Sequence, residues 1–266
     1  MASFIQQPER DFLVELGFGR ARGPNRELIE PVHKYGTLRN LTTSFQAVQT
    51  QGGAAIWPTA DERVRIRAGG NAADTADGTG ARSVEVYGIN AAGYRDSEVI
   101  VTAGANASAY TTKTFWRIDR TRVVEVGVYG GTNAAIIEIE NESAQLLAEV
   151  DFQGIGASTT LKAAYTTGIN QTGLLTRVNY SLSSGKVADM HILTRENALQ
   201  VTPPFSPEVK QKDFEGLNSV TNTIVREPYL ELPPLTDIWV EMAVDQAGGE
   251  VSISLSIILS NTNTNV

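Results

Sequence analysis

Hydrophobic and polar positions alternate along most of this chain with a period of two, the spacing of a strand buried on one face. The clearest case is 251–259, where Val251, Ile253, Leu255 and Ile257 alternate with Ser252, Ser254 and Ser256. Arg63-Val64-Arg65-Ile66-Arg67 is a shorter example, and 83–89 repeats it with Val84 and Val86 on one face. The same reading predicts strands at 98–102, 112–118, 123–128, 135–140, 146–152, 161–166, 173–182, 187–195, 222–226, 230–232 and 237–244. Glycine- and asparagine-rich turns separate several of them: NAAGY at 90–94, GGTN at 130–133, SSGK at 183–186 and DQAGGE at 245–250. Pro203, Pro204 and Pro207 mark a loop, because proline cannot donate to a central ladder.

Many short strands and few helical stretches predict an all-β protein of antiparallel β-sandwich type, jelly-roll or immunoglobulin-like. The spacing suggests two sandwiches in tandem, 61–168 and 169–266. One continuous sandwich carrying a long insertion is the alternative.

Residues 1–60 break the pattern. They hold Phe4, Ile5, Phe12, Leu13, Val14, Leu16 and Phe18 without sustained periodicity, and Gly17, Gly19, Gly23 and Pro24 interrupt them. This segment reads as an extended arm. It either packs along its own domain or docks on another subunit, with Phe12, Val14, Phe18, His33, Tyr35 and Trp57 as the contacting side chains.

Charge narrows the partners. The 266 residues carry a net charge of −8. A phosphate-tracking surface needs clustered Lys and Arg. The one basic cluster, Arg20, Arg22 and Arg26, is interrupted by Glu27 and Glu30, which argues against nucleic acid as a partner. No basic leader precedes a long apolar run, so no signal peptide is read. Apolar runs such as 134–137 fall far short of the roughly 20 residues of a membrane span, so no membrane partner is expected. Cysteine is absent, which removes thiolate chemistry and fits assembly in a reducing cytoplasm.

Candidate chemistry is sparse. His33 and His191 are too distant in sequence for a local metal pair. Glu85, Glu125, Glu138 and Glu140 sit in alternating strands, where they solvate the outer face. GFGRARG at 17–23 lacks the strand–loop–helix context and terminal Lys-Ser/Thr of a phosphate loop. The oxygen-rich loop 71–80, with Asp74 and Asp77, could hold calcium but lacks EF-hand spacing. Trp116 and Trp239 fall within strands and read as core, and Trp57 reads as an anchor between arm and domain. Tyr94, Tyr110, Tyr129 and Trp57 are the aromatics that a sugar-binding surface would use. Neither an enzyme nor a cofactor is expected.

Five stretches carry a resemblance. DFLVELGFG at 11–19, VHKYGTLRN at 32–40, IWP at 56–58, DTADGTGARSVEVYGIN at 74–90, and TDIWVEMAVDQAGGEVSISLSIIL at 236–259 are similar to a family of structural proteins from environmental, marine-type tailed phages. The insertion PNRELIEP at 24–31 departs from the family's shorter form. The resemblance implies a non-enzymatic virion component assembled in the host cytoplasm. It would associate with copies of itself and with capsid, portal or tail subunits. A carbohydrate- or receptor-binding β-sandwich is the competing expectation.

Overall fold

The computed structural model describes residues 16, 21–23, 28–152, 157–218 and 221–261. Fifteen strands are found among them. In chain order these are β1 (Leu28–Arg39), β2 (Gln46–Ala47), β3 (Glu62–Ile66), β4 (Ala81–Asn90), β5 (Arg95–Val101), β6 (Thr114–Val126), β7 (Ile137–Asn141) and β8 (Leu146–Val150). Then follow β9 (Ala164–Thr166), β10 (Gln171–Leu182), β11 (Ala188–Arg195), β12 (Val209–Leu217), β13 (Thr221–Leu232), β14 (Asp237–Val244) and β15 (Glu250–Asn261).

Two sheets face each other in the larger unit. One has the order β1-β15-β10-β13, the other β12-β11-β14-β2, with β9 also paired to β14. Every pairing is antiparallel. The chain changes sheet at β1→β2, β9→β10, β10→β11, β12→β13, β13→β14 and β14→β15. This interleaving is that of a jelly roll. The periodicity explains the core. Val251, Ile253, Leu255, Ile257 and Leu259 of β15 are all buried, and they meet Met190 and Ile192 of β11 and Ile238, Val240 and Met242 of β14 in one cluster. Burial of each such side chain is worth about 1.5–3 kcal/mol.

The second strand of the roll is split. Residues 46–47 pair with 241–242 of β14, and 164–166 pair with 237–239 of the same strand. Between them the chain leaves the sheet through a two-stranded stem. Ala163 N donates to Val48 O at 2.9 Å, Gln49 bridges Lys162, and Thr50 N donates to Leu161 O at 3.1 Å.

Everything from the stem outward forms a six-stranded sheet, β5-β4-β6-β3-β7-β8, with its own core of Val64, Val84, Val86, Phe115, Ile139, Ala148 and Val150 among others. Residues 158–160 curl this sheet back on itself, because Thr160 bridges Val150 of β8 while Thr159 bridges Arg122 of β6.

The expected division at 60 and 168 is therefore redrawn. The two units are nested, the first interrupting a strand of the second. The arm reading also gives way for its second half. β1 pairs with β15 over twelve residues, from Leu28↔Asn261 to Arg39↔Glu250. Leu38, Leu41 and Val48 belong to the jelly-roll core. β1 escaped the pattern because its inward face reads Val32, Lys34, Gly36, Leu38, so a charge and a missing side chain break the apolar run. Gly36 is required there. A Cβ would lie 2.3 Å from Ala163 N and 2.4 Å from Val48 O, where β1 crosses the split strand.

Candidate functional site: the charged junction

The insert is fastened to the jelly roll by charge as well as by apolar contact. Arg117 projects from β6 and is buried. Its Nε and Nη2 donate to the two carboxylate oxygens of Asp237 at 3.0 and 3.1 Å. The remaining N–H groups reach Pro58 O, Trp116 O and Ala198 O. All five guanidinium donors are thus committed. Asp237, the first residue of β14, is fully buried and also accepts from Arg195 Nη2 and Thr166 Oγ1, both at 2.7 Å. One carboxylate therefore joins the insert to β9, β11 and β14. Trp57 closes this node. It packs edge-on against Trp239 at 5.2 Å, with the Arg117 and Arg195 guanidinium groups 5.1 and 5.2 Å from its ring.

Two residues further along β6, Asp119 points the same way, as strand periodicity requires. Its carboxylate accepts from Arg95 Nη1 of β5, and its main-chain carbonyl accepts from Lys34 Nζ of β1. Arg95 also reaches Thr166 O at 3.2 Å and lies over the Tyr165 ring at 4.7 Å. A third tie runs from Arg39 to Asp151 at 2.8 Å.

The junction holds more positive than negative charge. Lys34, Arg95, Arg117, Lys162 and Arg195 face two buried carboxylates, Asp119 and Asp237; Arg195 also lies 3.8 Å from the exposed Glu208. Both lysines respond. Burial pushes the Lys34 ammonium down to about 7, reinforced by Arg95, Lys162 and Arg120, and Asp119 only partly offsets this. Burial lowers Lys162 as well. Burial also holds the Tyr165 hydroxyl up at about 12, against the pull of Arg95.

Two clefts open at the junction. One of about 330 Å³ is lined by Lys34, Arg95, Arg120, Tyr87, Glu30 and Gln171 among others. The other, about 430 Å³, lies between Arg39, Gln46 and Gln51 on one side and Glu149, Asp151 and Phe152 on the other. There burial, with Glu138 and Asp151 nearby, raises the Glu149 carboxyl above its usual range.

The residues expected to dock do not share one surface. His33 and Tyr35 point outward from β1, Tyr35 being 58% exposed, opposite Ser256 and Ser254 of β15. Trp57 turns inward onto Trp239 instead, anchoring the insert rather than an arm. Phe12, Val14 and Phe18 lie outside the described residues.

Asp74 of the oxygen-rich loop is buried and turned onto the backbone. Its carboxylate accepts from Ala81 N at 2.7 Å and from Ala134 N and Ala135 N at 2.9–3.1 Å, so it closes a turn. The strand glutamates are paired, Glu85 with Arg122, Glu138 with Arg67, and Glu140 with Arg65. The candidate sugar-binding aromatics are dispersed. Tyr110 lies beneath Arg63 and Arg65, while Tyr94 follows one end of β4 and Tyr129 lies near the other. Trp239 is core as expected, but Trp116 is only half-buried.

Sequence reasoning missed Lys34, Arg95, Arg117, Asp119, Lys162 and Asp237. One signal was present: Arg117-Ile118-Asp119-Arg120 interrupts a strand with charge on the face that alternation assigns to burial.

No protein-family model matches this chain. No curated protein matches it. Among solved structures it is similar to "Structure of infectious bursal disease virus Gx strain", with 11% identity, 96% of this chain and 78% of that chain covered, and a TM-score of 0.26. It is also similar to "Crystal structure of infectious bursal disease virus VP2 subviral particle", with 12% identity, 96% and 78% covered, and a TM-score of 0.25. At these scores the fold rests on the chain's own strand order.

Proposed function

We propose that this protein is a non-enzymatic structural component of a tailed-phage virion, working as a homo-oligomer attached to the head, neck or tail. The observation that carries the reading is the jelly-roll strand order with a second β unit threaded through one of its strands. Jelly rolls serve as building blocks of capsids and as lectins. The sequence stretches similar to phage structural proteins favour the first role. The charged residues support it too, since Arg117, Asp237, Asp119, Arg95 and Asp74 are engaged in holding one β element to another.

The outward face of the β1-β15-β10-β13 sheet is the surface this role would use. Ser252, Ser254 and Ser256 line it beside Tyr35 and His33. Closed symmetry repeats each such contact around a ring, so modest contacts suffice.

Light scattering on the purified chain and quantitative mass spectrometry on phage particles test the proposal. Roughly six or twelve copies per particle would mean the portal–tail axis, and hundreds would mean capsid decoration. A chain that stays monomeric at high concentration and is absent from particles would overturn it.

A further inference from the structure

We infer that the cleft at Lys34, between the β1 edge of the jelly roll and strands β4–β6 of the insert, binds a small oxyanion, phosphate or carboxylate. Lys34 is 7% exposed and lines this cleft of about 330 Å³. Its ammonium has three N–H donors, and among the described residues its one acceptor is the main-chain carbonyl of Asp119. Among the described residues no carboxylate forms an ion pair with it, and Asp119 acts on it only through its field. A buried ammonium left this way is costly, and an anion in the cleft would remove the cost.

The surrounding groups converge on the same chemistry. Arg95 lines the same cleft and donates Nη1 to the Asp119 carboxylate and to Thr166 O. Arg120 is exposed at the rim, stacked over the Tyr87 ring at 4.6 Å. A fork and a point charge lining one cleft suit a tetrahedral or planar oxyanion. The two acids at the cleft are already engaged, Asp119 by Arg95 and Glu30 by Asn261 Nδ2 at 2.9 Å. Lys162, buried nearby, adds to the positive field. The depressed affinity of Lys34 for its proton fits the same picture, because burial and the neighbouring cations outweigh Asp119.

The full chain is titrated separately with inorganic phosphate and with acetate, against sodium chloride at equal ionic strength, and followed by thermal shift and calorimetry. A rise in melting temperature beyond the chloride control is expected for at least one of them; which one responds separates a phosphate from a carboxylate ligand. Arg120→Gln, at an exposed position, should weaken that binding about tenfold, the worth of one charge-assisted hydrogen bond. Lys34→Met should abolish it. Lys212→Gln, an exposed charge change on β12, should leave it intact. Equal shifts with chloride would overturn the assignment. So would equal affinity in Arg120→Gln and Lys212→Gln, which does not depend on how well Lys34→Met folds.

Discussion

Lys34 carries the sharpest consequence at the scale of a single residue. Its folded-state value near 7 lies below the ordinary lysine value of 10.5. Between those two pH values the unfolded chain holds a proton that the folded chain has lost. Stability should therefore rise with pH across that window, by about 1.4 kcal/mol per unit, and the full penalty should persist below pH 7. Lys34→Met should then be more stable than the parent at pH 6 and lose this advantage towards pH 10. Urea titrations at several pH values give the comparison, and parallel pH profiles for the two proteins would contradict the account. Arg117 gives the opposite result. Its removal strands the buried Asp237 carboxylate, with Arg195 and Thr166 left bonded to it among the described residues, so Arg117→Ala should cost about 3–5 kcal/mol. A double-mutant cycle with Asp237→Asn should show strong coupling, and additive losses would mean that the two residues act apart.

At the scale of elements, the loop 71–80, strand β1 and strand β12 are places where pattern and structure diverge. The loop is held by the Asp74 carboxylate on three backbone amides. Asp74→Ala should cost roughly 3 kcal/mol or more, at about 1–3 kcal/mol for each orphaned buried group. A chelator should leave the melting temperature unchanged, and a large drop would point back to calcium. In β1 the register with β15 leaves Gly36 no room for a side chain. Gly36→Ala should destabilise by at least the ~1–3 kcal/mol typical of overpacking. A neutral result in denaturant titration would show that the two sheets can separate freely there. β12 was missed for a different reason: Val209–Leu217 is an edge strand exposed along most of its length, so it has no buried face to impose a period.

At the scale of the molecule, the split strand predicts how the parts can be separated. Val48 and Ala163 are hydrogen-bonded to each other and each to Val240 of β14, so the insert leaves and returns at one point. Replacing 51–160 with a short glycine-asparagine turn should leave a jelly roll that still folds cooperatively, weakened by loss of the Arg117 and Trp57 contacts. Circular dichroism and a single denaturation transition would report this, and a chain without a transition would mean the insert is needed for the roll to fold. Deleting residues 1–40 should unfold the roll, because β1 is removed from β15. A folded product would show that the remaining sheet closes without it.

The sequence by itself determined the class of the fold and most of the strands. A period of two over 62–66, 81–90, 188–195 and 250–261 leaves one solution, a sheet with one buried face, and local sterics and water enforce it without reference to the rest of the chain. Tertiary structure alone decided that the two β units are nested, because strand order depends on which distant segments pair with β14, and two short pieces of two and three residues carry no periodic signal. It also decided the junction. Lys34, Arg117, Asp119 and Asp237 are ordinary charges in the sequence. They become buried partners only because the insert folds back on the edge of the roll, where low dielectric strengthens each pair and makes the unmatched ammonium expensive.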